Sequence, residues 1–329
     1  MTAGATRARP SRTAWSPSSR ALLVAGASLA LLGTGLLALR WAVVPERTGF
    51  LALQALSPMG GVLVGLGVVA LLLARAWGPL AVALLPALAY AGLAAPTVLP
   101  DTVPPRPDDL VVLSTNLQYG RAQARRVIET ADRVDADVVV LVEVTPGALA
   151  RLDEAGLSGR YPHSMGRPGP RASGLVVRTR DPLRAVTPSY DPRAGTPYGL
   201  LSTSRGEVLL RGVHPAAPTS PERWGSDLAD LGSWIARVTR LDPKQPVLVA
   251  GDLNATYSHP PLRQAVAPLT DAARAAGKGW EPTWPQGRWY PPFAQIDHVL
   301  VRNLRVVDSG VAAIPDTDHR AVWARLRVG

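Results

Sequence analysis

"PVLVAGDLNATYSHPPL", Pro246 to Leu262, is the stretch whose reading decides the fold. It opens with an apolar run of strand length and no polar alternation, the pattern of a strand covered on both faces. Gly251, Asp252 and Asn254 follow where that strand ends. Asp and Asn are ordinary turn formers, because their side chains hydrogen-bond the backbone two residues on. They are also the residue types that a site for phosphate and metal uses, so the rest of the chain must decide between the two readings. His259, inside the same stretch, reads as a loop residue.

The pattern repeats on either side. "LVVLSTNL" from Leu110 is a short apolar strand ending in Asn116, and "RAQARRVIETADRVDA" has helical spacing with Ala124, Val127, Ile128 and Ala131 on one face. "DVVVLVEV" is apolar apart from Glu143. "SGLVVRTR", "EVLLRGVHP", "IDHVLVRN" and "AVWARLRV" read as further strands, and "SDLADLGSWIARVTRL" as a helix. Strands outnumber helices, which predicts a layered α/β domain over residues 110–329, large enough for one core.

Polar residues recur at the ends of these strands: Asn116, Glu143, His214, Asp252 with Asn254, Asp297 before His298, and Asp318 with His319. Strand ends on one edge of a layered α/β domain converge on one crevice. Unpaired charges gathered there would be costly unless they bind something. Each residue alone has a plain structural reading, as a turn former, a cap or a solvated loop residue. Glu143 is the hardest to explain so, since its apolar neighbours offer nothing to solvate a carboxylate.

Together the set suits hydrolysis of a phosphate ester. Oxygen ligands such as Glu143 and the amide of Asn116 fit a hard cation, Mg²⁺ or Mn²⁺. A His held by a carboxylate can act as general acid or base, and an Asp can take a proton from water. No Gly-rich phosphate loop occurs, so a nucleotide cofactor is not expected. The His residues are too scattered for a His-x-x-x-His zinc site.

The first 100 residues differ sharply. They hold seven Arg, one Glu (Glu46), no Lys and no Asp, so +6 of the net +10 lies there and +4 in the remainder. That remainder is only mildly basic, a weak argument against nucleic-acid binding driven by bulk charge. Ala21–Leu39, Thr48–Ala74 and Ala76–Pro100 are uncharged stretches of 19, 27 and 25 residues. Each reaches the roughly 20 residues that cross a bilayer, and Trp41 and Trp77 sit beside the breaks. The expectation is a tail at 1–20, a three-helix anchor at 21–99 and a Pro-rich linker at 100–109. A cleaved signal peptide is the rival for the first stretch. The spans carry no ionisable residue of the kind that marks an ion path, so they read as an anchor. Arg7, Arg9, Arg12, Arg20 and Arg75 outnumber Arg40 and Arg47 across a three-span topology. The tail is therefore expected in the cytoplasm, in a multi-pass protein of the cell membrane with residues 100 onward outside. The chain has no Cys, which excludes disulfides and thiolate metal sites but not either compartment.

"STNLQYG", "VVVLVEV", "GVHPAAP", "GDLNATYSHPPL", "QIDHVLV" and "DTDHRAV" occur in the order and at roughly the spacing of the endonuclease/exonuclease/phosphatase superfamily, the deoxyribonuclease I-like proteins. With the three apolar stretches, the chain looks most like the membrane-anchored bacterial branch of that superfamily. The resemblance implies a four-layer sandwich, two β-sheets with helices outside. It implies Mg²⁺ on Glu143, assisted by Asn116 and Asp318. Asp252 would orient or deprotonate the attacking water, Asn254 and His214 would contact the phosphate, and His319 would be the catalytic histidine, oriented by Asp297. It points to a phosphodiesterase acting on a lipid head group or a nucleic acid. An extracytoplasmic nuclease is the alternative, and a catalytically inactive membrane-bound interaction module is the reading outside enzymes. Between Val144 and His214 nothing matches the substrate-reading insertions of the DNA-repair members, which argues against DNA specificity.

Overall fold

A computed structural model describes residues 16–42, 47–186 and 197–329. Arg7, Arg9, Arg12 and Glu46, used in the charge comparison above, lie outside them. The chain divides into two compact units, Met1–Leu37 with Pro58–Ala91, and Ala38–Ser57 with Gly92–Gly329.

The first unit is built from apolar helices α1 (Pro17–Ala38), α3 (Ser57–Leu73) and α4 (Trp77–Val98). Helix α1 buries Gly26, Ala30, Gly33 and Leu37, one face at helical spacing. A Cβ on Gly33 would lie 2.5 Å from the Gly60 carbonyl oxygen, so glycine alone permits the approach of α1 to α3. Small residues at a helix crossing are how apolar helices pack where no hydrophobic drive separates them from lipid. Two helical segments, Pro17–Trp41 and Trp77–Val98, are long and apolar enough to cross a membrane.

The expected second span is not one helix. It breaks at Leu56 into α2 (Thr48–Ala55) and α3, and a third span exists only if that broken pair counts as one. The reason lies in α2's partners. Leu51 is buried in a cluster with Trp224, Leu228 and Ile235, far along the chain. Helix α2 thus belongs to the second unit.

That second unit holds two mixed six-stranded sheets. The strands are β1 (Leu110–Asn116), β2 (Val138–Val142), β3 (His163–Arg167), β4 (Leu175–Thr179), β5 (Leu183–Ala185), β6 (Tyr198–Thr203), β7 (Gly206–Val213), β8 (Val247–Asp252), β9 (Thr270–Asp271), β10 (Asp297–Arg302), β11 (Leu304–Ala313) and β12 (Arg320–Val328). One sheet runs β11-β12-β1-β2-β4-β3 and the other β5-β6-β7-β8-β10-β9. Helices α5 (Ala124–Val134), α6 (Pro146–Glu154), α7 (Leu157–Arg160), α8 (Pro221–Leu241), α9 (Pro260–Ala265) and α10 (Ala272–Ala275) complete it.

Alternation along each strand separates three apolar clusters. Val112, Val138 and Val140 of one sheet meet Leu210, Leu248 and Ala250 of the other between the sheets. Val111, Leu113 and Val139 face outward onto Val127, Ile128 and Leu152 of α5 and α6. Val247 and Val249 face outward onto Leu228, Leu231 and Ile235 of α8. Both faces of the central strands are covered, which explains apolar runs without polar alternation. The layers are those expected: helices, sheet, sheet, helices.

Several elements were not anticipated. The peripheral strands β3, β5, β6 and β9 are short or half-exposed and carry little pattern. Strand β11 reads poorly because "VVDSGV" breaks its periodicity; the register shifts between Val306 and Asp308. Helix α8 starts at Pro221, before the expected Ser226, with proline in its first turn where no N–H is missed. The Pro-rich segment at 100–109 lies bonded along the domain. Asp101 N donates to Ala275 O (2.7 Å), Val103 N to Val306 O (3.1 Å), and Arg327 Nη2 to Pro104 O (2.6 Å).

Candidate active site

Strand pairing brings the expected residues together. β1 and β2 run parallel, so Asn116 and the residue after Val142 leave the sheet at one edge. β12 is antiparallel to β1 and therefore starts at that edge, which places Asp318 and His319 there. In the other sheet β7 and β8 run parallel and β10 antiparallel to β8, with Asp297 directly opposite Asp252. His214, Asp252, Asn254 and Asp297 thus come from one sheet, and Asn116, Glu143, Asp318 and His319 from the other.

Backbone geometry aims several of these side chains. Glu143 and Asn254 both adopt left-handed conformations, φ 56° and 48°, as the chain turns off the strand ends. Such strain in non-glycine residues clusters where surrounding structure holds a side chain in place. The Asp252 carboxylate is buried and accepts from Asn254 N (2.7 Å) on Oδ1. This is the turn bond of the opening stretch, so Asp252 does form the expected turn.

Asn116 links the sheets. Its Nδ2 donates to Asp252 Oδ2 (3.0 Å) and to Glu143 Oε1 (3.2 Å), while its Oδ1 accepts from Gln118 N (2.8 Å). The amide therefore presents N–H groups to the carboxylates and acts first as their bridge. Tyr119 N donates to Glu143 Oε2 (2.9 Å). His214 Nδ1 donates to Ala172 O (3.1 Å), which turns Nε2 toward Glu143 Oε1 and Asp252 Oδ2, each 3.8 Å away. Asn254 Nδ2 donates to Pro215 O (3.1 Å), and its own carbonyl accepts from Trp224 Nε1 (3.0 Å).

His319 and Asp297 form the closest charged contact of the set. His319 Nδ1 donates to Asp297 Oδ2 (2.9 Å), and Nε2 lies 3.8 Å from Asp252 Oδ2 and 4.0 Å from Asp318 Oδ1. Burial alone would lower the His319 pKa, but the carboxylates of Asp297 and Asp252 outweigh it and push it up to about 10. The ring is an imidazolium at neutral pH. Burial, then the neighbouring Asp297, raises the Asp252 pKa against the pull of the two histidines. Asp318 Oδ2 accepts from Trp284 Nε1 (3.2 Å).

Asp252, Asp297 and His319 each offer a potential ligand atom within 4.8 Å of the others. This trio does not suit a cation, because both imidazole nitrogens carry protons and Nδ1 is committed to Asp297. The edge formed by Glu143 and Asp252 fits better. Two carboxylate oxygens converge there under one shared amide, and among the described residues Glu143 forms no ion pair with Lys or Arg. Hard oxygen donors of that kind match Mg²⁺ or Mn²⁺.

Two histidines fall elsewhere. His298 is buried one residue from Asp297, yet its Nδ1 donates to Asp271 Oδ2 (2.7 Å) and its Nε2 to Ala255 O (3.0 Å), away from the cleft. His259 does lie in the loop before α9, as expected, but it has a buried structural role. It is buried, its Nδ1 accepts from Thr256 N (2.9 Å), and its Nε2 donates to Leu51 O (2.9 Å) of α2. The sequence reading missed this bond, since no local pattern links positions 208 residues apart. It also missed Thr317, whose hydroxyl donates to Asn116 O (2.8 Å) and accepts from His319 N (3.2 Å), bracing both.

Comparison with known proteins agrees with the fold. The model of the Endonuclease/Exonuclease/phosphatase family matches residues 113–319. Among solved structures, truncated TDP2 from Caenorhabditis elegans is similar at TM-score 0.52 and 15% identity, covering 67% of this chain and 98% of that one. An endonuclease/exonuclease/phosphatase family protein from Bacteroides thetaiotaomicron gives 0.52 at 18%, covering 68% and 100%. TDP2 from D. rerio, solved with a single-strand DNA product, gives 0.52 at 14%, covering 67% and 99%. No curated protein matches the chain.

Proposed function

The chain belongs to the endonuclease/exonuclease/phosphatase family, and on that premise we propose that it is a membrane-anchored, Mg²⁺-dependent phosphodiesterase whose catalytic domain lies outside the cytoplasm. The observation that carries the chemistry is the Asp297–His319–Asp252 arrangement beside Glu143, with residues from both sheets on one cleft.

Each residue then has a role that its contacts support. Asp252, its basicity raised by burial, takes a proton from the attacking water, whose oxygen forms the new bond to phosphorus. The P–O ester bond breaks, and the departing alkoxide needs a proton. The His319 imidazolium, held by Asp297, is the donor, which fits its protonated state. His214 and Asn254 line the cleft, where the second Nδ2 hydrogen of Asn254 is a donor to the phosphoryl oxygens and His214 Nε2 lies beside them. Glu143 and Asp252 would hold the cation, with Asn116 fixing both carboxylates and Asp318 at the edge of the site. The chemistry that a bound divalent cation supplies there is neutralisation of phosphoryl charge.

Residues 38–57 and 92–329 form one compact unit, connected in sequence through α3 and α4. In the proposed topology α3, whose 17 residues lie at the lower limit for a span, is a crossing without α2, beside the two longer apolar helices α1 and α4. Three crossings put the catalytic domain opposite the Arg-rich tail.

The test is hydrolysis of bis(p-nitrophenyl) phosphate by the full-length protein with Mg²⁺. Glu143→Ala, Asp252→Ala and His319→Ala should each lose roughly 100-fold or more, the usual share of an acid–base group. Full activity in those variants, or none in the wild type, overturns the proposal. A nuclease reading is motivated by the DNA-bound fold neighbour. It requires DNA binding that weakens steeply with salt.

A further inference from the structure

Helix α2 is a wall of the catalytic cleft. Thr48, Leu51, Ala52, Ala55 and Leu56 line the same cavity, about 1150 Å³, as Glu143, His214, Asp252, Asn254 and His319. Positions 48, 52 and 55 share one helical face by spacing. The wall is fixed at several points. His259 holds the Leu51 carbonyl, Ser57 Oγ donates to Ser258 Oγ (2.8 Å), and Thr48 Oγ1 donates to Pro218 O (3.1 Å). His259 and Ser258 follow directly on the loop that carries Asp252 and Asn254, so the catalytic loop and the wall are one assembly.

Phosphate chemistry does not need such a wall. α2 carries no charged residue, and its cleft face offers methyl and methylene groups where a nucleic-acid track would place cations. A second apolar feature reaches the cleft from another direction. Trp284, which donates to Asp318, and Phe293 both line the cavity, with ring centroids 5.8 Å apart. From Phe293 the rings continue to Tyr290 (6.2 Å) and Trp289 (5.2 Å), and Trp289 is 95% exposed. An aromatic ladder thus runs from the catalytic carboxylates to a bare tryptophan, the side chain that favours a lipid–water interface. One residue, Leu56, separates α2 from the apolar helix α3 along the chain.

We propose that the substrate is a membrane lipid phosphodiester, its apolar chain lying along α2 and its phosphate at His214, Asp252 and His319. The inference rests on the phosphodiesterase reading and adds the specificity element. Ala52 and Ala55, small on the cleft face, leave room for the chain; Leu56 supplies apolar surface beside them. Trp289 guides lipid from the bilayer.

The experiment uses the full-length protein with Mg²⁺ and a series of p-nitrophenyl alkyl phosphodiesters from methyl to octyl. The wild type should gain in kcat/KM with each methylene, up to about fourfold per step, the value of burying one CH₂ group. Ala55→Trp, which fills the wall, should flatten that rise. In proteoliposomes, diacylglyceryl p-nitrophenyl phosphate should be hydrolysed, and Trp289→Ser, a change at a fully exposed position that leaves folding intact, should slow it about tenfold. Hydrolysis with no dependence on chain length overturns this inference and leaves the phosphodiesterase standing. A chain-length rise without hydrolysis of the bilayer-embedded substrate, or preference for single-stranded DNA, overturns the lipid assignment. No hydrolysis of any member overturns the reading beneath both.

Discussion

His298 and His319 show how little a residue's type says about its work. They stand 21 positions apart, each donates Nδ1–H to a buried aspartate, and each has its pKa raised by its carboxylate partner. His319 turns its second nitrogen to the cleft, whereas His298 spends it on the Ala255 carbonyl. His298 is accordingly structural, fastening β10 to β9 and to the loop behind Asp252. Burial lowers its pKa, but Asp271 and the Ala255 carbonyl outweigh this and raise it above its ordinary 6.5. A folded-state pKa raised above the unfolded value means stability that is fully present below about pH 6.5 and lost as pH rises through the folded value. His298→Gln should make that slope shallower in urea-melt midpoints measured between pH 6 and 9, leaving the share that His319 contributes with the same sign. His298→Ala, which strands the Asp271 carboxylate, should cost about 3–5 kcal/mol at pH 6. A pH-independent melt in the wild type would refute the pairing as an ionic one. At the site, Asn116 Nδ2 bridges the carboxylates of Asp252 and Glu143. Asn116→Ala should therefore weaken Mg²⁺ activation as well as turnover, read as a raised half-saturating Mg²⁺ concentration.

Elements carry the next level of decision. The strands that support the site were legible because alternate residues on both faces are apolar, a signal read within one segment. The peripheral strands were not, since half-exposed pairing leaves no such pattern. The apolar character of α2 was equally clear, yet its environment was read as bilayer. Apolar residues satisfy a protein core and a membrane alike, so composition cannot separate them. What separates them here is a polar latch: His259, Ser258 and Arg263, whose Nη2 donates to Arg40 O (2.7 Å). His259→Ala removes the buried bond to Leu51 O and the acceptor of Thr256 N, which should cost about 1–3 kcal/mol. Hydrogen exchange should show faster amides across 47–56 in that variant, with β1 and β8 unaffected. Unchanged exchange in α2 would show that the latch does not hold the wall.

At the scale of the whole molecule, two predictions follow from the proposed topology and metal dependence. Reporter fusions after residue 100 should be active outside the cytoplasm and fusions after Arg75 inside it; the reverse pattern would overturn the three crossings. Chelation should abolish phosphodiester hydrolysis, and Mg²⁺ or Mn²⁺ should restore it, whereas activity that persists through chelation would exclude the cation from the mechanism. Sequence alone determined the layered α/β class, the apolar character of the N-terminal third and the set of polar strand ends, because periodicity and residue chemistry act over short distances along the chain. Asp252 in "GDLN" was readable both as a turn former and as a site residue, and its geometry makes it both. Only the tertiary structure decided which of these groups meet. Parallel and antiparallel pairing set Asp297 opposite Asp252, turned His319 into the cleft and His298 away from it, and drew α2 from the apolar N-terminal third onto the catalytic domain. Those contacts join residues tens to hundreds of positions apart, and the free energy that selects them belongs to the packed core.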